Sequence, residues 1–257
     1  MTRNTHELLR IKDLSFWGGL GAVGFFVDAD GFEGWSDAPK TRSDETTITA
    51  GHGSYDSLEY YEARVVTVTG QCLARSAGEL GQLRHQLLAA LQGRFRITVT
   101  DFGETTYAYG RRFAAPKFQT THPGRSARFQ FSLRCADPRR FGSLTPLVVT
   151  GPGQAQAIYH RGNFPASPRL IVTGTMPGYR IEGPGSTYVV NRPVSAAEPH
   201  RIETDTSLLS VNGAVQLGAI TSGTGWTIAP GTSPVTHRLV PLSGTGTLQT
   251  HLRDTYI

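Results

Sequence analysis

The chain has 257 residues and a net charge of +5, enough for one large or two ordinary domains. Its 38% hydrophobic and 18% charged residues exclude wholesale disorder, and its 30 glycines and 15 prolines favour turns and β-structure. The arginines are scattered, with no Lys/Arg block of the kind that tracks phosphates, which argues against sequence-specific nucleic-acid binding.

In chain order, the opening MTRNTHELLRIKDL lacks the apolar run of a signal peptide. No apolar stretch is long enough for membrane insertion, so folding in a cytoplasm is expected. Residues 15–17 and 22–27 read as strands around a glycine turn. Asp28-Ala29-Asp30-Gly31 reads as a second turn leading to Phe32 and Trp35. Residues 37–49 are polar and irregular, an exposed extended arm or long loop, and run into the turn cluster Gly51 to Asp56. YYEARVVTVTG, 60–70, is a strong strand with β-branched residues in alternation.

Residues 76–92 stand apart. Leu80, Leu83, Leu87, Leu88 and Leu91 recur at helical spacing. Ser76 is a good N-cap, Glu79 completes a capping-box pattern, and Gly93 sits where a C-terminal glycine belongs. No other long helix is expected, and this stripe should pack on a sheet. Strands follow at 94–100, 105–112 and 127–135, the last with Phe129, Phe131 and Leu133 on one face.

From Ala136 to Arg169, prolines 138, 146, 152, 165 and 168 block a continuous helix and mark a domain joint. We expect one domain over 1–145 and a second over 146–257. Short strands are expected within the joint at 147–149 and 157–159. Beyond it about eight strands recur, one at 226–228, with Gly, Pro and Ser turns between them and no helix. That texture implies a β-sandwich. Asn212-Gly213 is a hairpin signal, since both central residues of that turn need positive φ.

A search for chemistry returns little. There is no phosphate-binding loop, nucleophile elbow or His-Glu-x-x-His, so no enzyme, metal or cofactor is expected. His200, Glu203 and Asp205 are the densest polar group, yet His200 falls on the opposite face of its strand and a polar strand end is expected. Cys72 and Cys135 share parity with apolar neighbours and read as buried, inert thiols. The acids Glu33, Glu104, Glu182 and Asp254 form no motif, although paired carboxylates for glycoside hydrolysis meet only in space. Tyr179, Tyr188 and Trp226 are either core residues or the lining of a sugar site on the second domain.

Taken in order, several features resemble the distal tail protein (Dit) family, minor tail proteins of long-tailed phages. They are the arm and turn 42–55, the strand 64–70, the helix 76–92, Cys135-Ala136-Asp137-Pro138, and the joint YHRGNFPASP at 159–168. Ile202 to Thr206, Asn212-Gly213, Trp226 with Pro230-Gly231, and a final strand to Tyr256 complete the order. The resemblance implies a mainly β fold: an N-terminal β-sandwich or barrel-like domain with one α-helix, and a C-terminal galectin-like β-sandwich. It also implies a virion protein assembled in the host cytoplasm. The N-terminal domains would form a ring, usually hexameric, joining the tail tube protein to the tip or baseplate hub protein. It brings no catalytic residues. The polar arm, with Arg42, His52 and Tyr55, is the expected subunit contact, wrapping a neighbour or adding a strand to its sheet. The alternative is a carbohydrate-binding module that recognises host-surface glycan through the second domain.

Overall fold

Along Ser126–Cys135 nearly every second side chain is buried, and Arg64–Leu73 repeats the pattern. A period of two presents one strand face to a core. The computed structural model describes residues 6–43, 46–55, 58–122, 124–144 and 148–257. The described residues form twenty-five strands and one helix, the mainly β, single-helix fold expected. They divide into two compact units, Met1–Arg140 with Ile257 and Phe141–Tyr256.

The first unit contains β1 (His6–Ile11), β2 (Leu14–Gly18), β3 (Gly24–Glu33), β4 (Thr41–Arg42), β5 (Thr46–Thr47) and β6 (Ser54–Tyr55). It continues with β7 (Tyr60–Tyr61), β8 (Arg64–Leu73), α1 (Ala77–Ala90), β9 (Arg94–Asp101), β10 (Glu104–Arg112), β11 (Lys117–His122) and β12 (Ser126–Cys135). Strands β12, β8, β3, β2, β1, β9 and β10 pair in that order, and β10 pairs again with β12. The sheet therefore closes on itself, which removes the exposed edges of this circuit. β2 and β3 run parallel; the other pairings around the circuit are antiparallel.

Inside sit Phe16, Phe25, Phe129 and Phe131, with ring centroids 5.3–6.0 Å apart along their contacts. The helix closes this core with Leu80, Leu87 and Leu91. Ser76 Oγ accepts the Glu79 N–H at 3.2 Å, and Glu79 reaches back to accept the Arg75 N–H at 2.6 Å. Gly93, at φ 74°, lets the chain leave the last turn. No basic residue lies in that turn, but Lys12 Nζ donates to Gln92 O at 2.9 Å and Ala89 O at 3.4 Å. This places a cation at the negative end of the helix dipole. Leu83 and Leu88 are only half-buried, so the core-facing stripe is narrower than the leucine pattern.

Two expectations change here. Asp28-Ala29-Asp30-Gly31 is a bulge inside β3 rather than a turn between strands. Val27 pairs Gly70 and Phe32 pairs Val68, so four residues of β3 loop out past Thr69. Gly31 makes this possible: a Cβ there would sit 2.1 Å from Thr69 O. In addition, β1 forms where no strand is expected, since its apolar residues alternate too briefly to stand out.

The second unit contains β13 (Arg140–Leu144), β14 (Val148–Thr150), β15 (Ala155–His160), β16 (Arg169–Thr175), β17 (Tyr179–Gly183), β18 (Ser186–Val190) and β19 (His200–Glu203). Then come β20 (Leu208–Val211), β21 (Ala214–Val215), β22 (Ile220–Ser222), β23 (Gly231–Pro241), β24 (Thr245–His251) and β25 (Arg253–Tyr256). One sheet runs β14-β24-β16-β19-β20-β21 and a second β15-β23-β17-β18-β22. Leu170, Val172, Ile202 and Leu248 from the first, and Tyr179, Ile181, Tyr188 and Leu239 from the second, form one core. Asn212 (φ 49°) and Gly213 (φ 84°) make the tight β20–β21 turn. The strand expected at 226–228 is absent; only an isolated bridge pairs Ile228 with Ala166. Trp226 is held there by burial of its ring rather than by a ladder. The strand expected over 147–149 falls partly outside the described residues, since Leu147 is not among them.

Candidate functional site

Within the first unit, the described residues of 40–62 pair as a hairpin. Thr41 pairs Tyr61 and Arg42 pairs Tyr60; further out, Thr46 pairs Tyr55 and Thr47 pairs Ser54. The Glu62 N–H donates to Lys40 O at 2.7 Å and the Ile48 N–H to Gly53 O at 3.1 Å. Among the described residues, the stretch expected to be irregular is thus strand-paired at 41–42 and 46–47, and Gly51 to Gly53 of the expected turn lie at its tip. Paired strands satisfy each other's backbone groups without help from a core, which is why so polar a segment is ordered into a hairpin.

Arg42, His52 and Tyr55 all fall on this hairpin and all are exposed. Arg42 lies near the root, Tyr55 on the outer pair and His52 in the tip. Tyr55, Leu58 and Tyr60 are 63%, 77% and 57% exposed, a concentration of large side chains that the arm's own chain leaves uncovered. Asp44, Glu45, Asp56 and Ser57 lie outside the described residues.

The root of the arm is fixed by a residue that belongs to no sequence motif. Arg64, the first residue of β8, is 1% exposed. Its Nη1 donates to the carbonyls of Gly34, Trp35 and Asp37 at 2.8, 2.7 and 2.7 Å. Its Nε donates to Pro138 O at 2.9 Å. Burial, and then the Arg140 charge, lower its pKa to about 10, which leaves it cationic at neutral pH. One guanidinium therefore ties the chain entering the arm to the chain leaving it. The Asp37 carboxylate adds a bond from the Gly34 N–H at 2.9 Å. Gly34, at φ 81°, packs so tightly on β8 that a Cβ would lie 2.0 Å from Val65 O. The signal was present in sequence: Arg64 shares parity with Val66 and Val68 and so must face inward.

The other candidates resolve into structural roles. His200 is buried, with Nδ1 2.9 Å from the Tyr179 hydroxyl, and burial lowers its pKa. Glu203 instead pairs with Arg169 at 2.5 Å, and Asp205 lies in the turn after β19. His237, 2% exposed, meets Thr250 Oγ1 at 2.7 Å and lies 5.5 Å from the Trp226 ring; burial lowers its pKa to about 4. Cys72 and Cys135 are buried free thiols, pushed up to about 12 and 11 by burial. They lie on the adjoining strands β8 and β12, but Cys72 pairs Ala127 while Cys135 pairs Arg64, at opposite ends of the ladder. Glu182 pairs with Arg238, and Asp254 accepts the Arg161 N–H at 2.8 Å. Among the described residues no group of three or more His, Cys, Asp or Glu could hold a metal.

Trp226, Tyr179 and Tyr188 are 5%, 0% and 0% exposed, so they do not line a sugar site. Their polar ends mostly find partners indoors, Tyr188 with Ser207 at 3.2 Å, as buried aromatics require.

No protein-family model matches the chain, and no curated protein matches its sequence. Among solved structures, chains of the phage P2 baseplate in its activated conformation, with Ca and with Sr, match at TM-scores of 0.47 and 0.46. They are 9% and 8% identical to this chain, each match covering 84% of it and 88% of the other. The SPP1 Dit (gp 19.1) protein, described as a paradigm of hub adsorption apparatus in phages infecting Gram-positive bacteria, matches at a TM-score of 0.69 and 15% identity. That match covers 90% of this chain and 94% of SPP1 Dit, so the chain shares the fold of SPP1 Dit.

Proposed function

We propose that this chain is a structural protein of a phage tail, a distal tail protein that joins the tail tube to the tip or baseplate. The single observation that carries the reading is the shared fold with SPP1 Dit across 90% of the chain. The independent order of sequence features, from the arm through the helix to the second β domain, supports it. In this reading the N-terminal domain builds a closed ring, usually of six copies, in the virion, and the C-terminal domain projects from it. The partners are further copies of the chain, the tube protein and the tip or baseplate hub protein. The hairpin 40–62, with Arg42, His52 and Tyr55, is the contact between copies. A segment that exposes Tyr55, Leu58 and Tyr60 is suited to a neighbour that covers it.

A ring needs a heterologous contact, one surface of each copy meeting a different surface of the next, with a rotation that closes. Light scattering and negative-stain images of the purified protein test this. A closed ring is expected; a monomer at high concentration would overturn the proposal.

A further inference from the structure

The outer face of β9, β10 and β12 carries a row of like charges. Arg111 lies directly opposite Arg94 on one neighbouring strand and opposite Arg134 on the other. Residues so paired share one face at about 5 Å between Cβ atoms, where like charges destabilise the sheet. All three are exposed, and among the described residues none of them forms an ion pair.

Arg96 extends the patch. Its guanidinium lies 4.0 Å from the centre of the Tyr107 ring, and that of Arg94 lies 5.0 Å from the centre of Tyr109. The two tyrosines meet edge-on at 5.9 Å. Aromatic faces hold a guanidinium in place without neutralising it. Beside them a groove of about 680 Å³ is lined by Arg10, Lys12, Arg94 and Arg96. Arg10 is matched by Glu7 at 2.6 Å, and Lys12 is taken up by the end of α1. The uncompensated charge is that of Arg94, Arg96, Arg111 and Arg134.

The complementary surface is in the same sequence. Residues 40–62 carry Asp44, Glu45, Asp56, Glu59 and Glu62 against Lys40 and Arg42, within a chain whose net charge is +5. Glu59 and Glu62 are exposed beside Tyr60. The arm is thus acidic and aromatic, and the face basic and aromatic.

We infer that Arg94, Arg96, Arg111 and Arg134 seat the acidic arm of a second copy of this chain. The inference rests on the ring reading above and supplies its missing half, the surface that receives the arm. Arm and face are different surfaces, so the contact is heterologous and propagates from copy to copy until it closes. The carboxylates relieve the repulsion along Arg94, Arg111 and Arg134, and the arm's tyrosines gain guanidinium faces to stack on.

Charge exchange tests it in the full chain. One variant carries E59K and E62K on the arm; another carries R94E, R111E and R134E on the face. Each alone is expected to sediment as a monomer with an unchanged far-UV spectrum. Mixed together they are expected to assemble, because each variant's arm then meets a face of opposite charge. A single chain carrying all five substitutions is expected to assemble by itself, and it guards against the reading that the substitutions merely unfold the protein. If the wild type assembles and both variants assemble equally well, the acceptor face is wrong while the ring reading stands. If the wild type does not assemble, both fail. A fluorescent duplex DNA probe, measured by anisotropy, is run beside these. Binding to the wild type that is lost in the face variant, with assembly unaffected, would assign the face to nucleic acid and overturn the inference.

Discussion

Arg64 Nη1 donates to the carbonyl oxygen of Asp37 at 2.7 Å, across a hairpin of more than twenty residues. The same nitrogen holds Gly34 and Trp35, so the chain entering the arm is tied at one point to the chain leaving it. Rigidity at the root would lower the entropy cost of the proposed docking of the arm. Arg64→Lys keeps the charge but loses the planar fork that spans separate carbonyls. It should cost about 2–4 kcal/mol, since hydrogen bonds to charged groups contribute about 1.5–3 kcal/mol each. Urea unfolding of the two proteins measures the difference. A loss under about 0.5 kcal/mol, the range of ordinary surface substitutions, would mean that the fork is not structural.

Leu87 lies wholly within the first core and Leu83 at its margin. Leu87→Ala should therefore cost about 2–5 kcal/mol. Leu83→Ala should cost about 1 kcal/mol, near the average for point mutations. Equal losses in thermal melts would place the helix at a different rotation on the sheet.

Trp226 is buried against Gly183 and beside His237. Trp226→Ala should cost about 3–5 kcal/mol, as expected for a large aromatic removed from a core. A folded variant of unchanged melting temperature that had lost a glycan ligand would revive the carbohydrate reading. Chemical denaturation and glycan-array binding of the same preparation separate the two outcomes.

The second unit should weaken in acid. His237 titrates at about 4 when folded, below the usual histidine value of 6.5, because burial disfavours its charged form. As pH falls below 6.5 the unfolded chain takes up the proton first. Stability present at pH 7 is then lost down to about pH 4, where the folded state also protonates. The total is about 3 kcal/mol from this group. Melts across that window should show the decline, and His237→Gln should flatten it. Parallel profiles for variant and wild type would assign the acid sensitivity elsewhere, with His200 the next group to test, since burial lowers it as well.

Local chemistry made part of this molecule readable. Ser76 and Glu79 cap α1 in the way their spacing implies, and Asn212-Gly213 turns as its φ requirements demand. The buried parity of β8 and β12 was written in their alternation, including that of Cys72, Cys135 and Arg64. What depended on register was not readable. Arg94, Arg111 and Arg134 look scattered along the chain and become one row only when β10 pairs on both sides. Gly31 serves a bulge where the same residues would equally suit a turn, and nothing local separates the two. The arm's pairing is not legible in the sequence because its strands are two residues long, with no apolar alternation to reveal them.

The proposed contact between one copy and the next is the hairpin 40–62. Lys40 O and the Glu62 N–H are 2.7 Å apart, so a short glycine-serine turn can replace everything between them without disturbing the root. Sedimentation velocity of this shortened chain beside the wild type tests the claim most directly. The account predicts a closed oligomer for the wild type and a folded monomer for the shortened chain, with little change in melting temperature. A shortened chain that sediments like the wild type would contradict it.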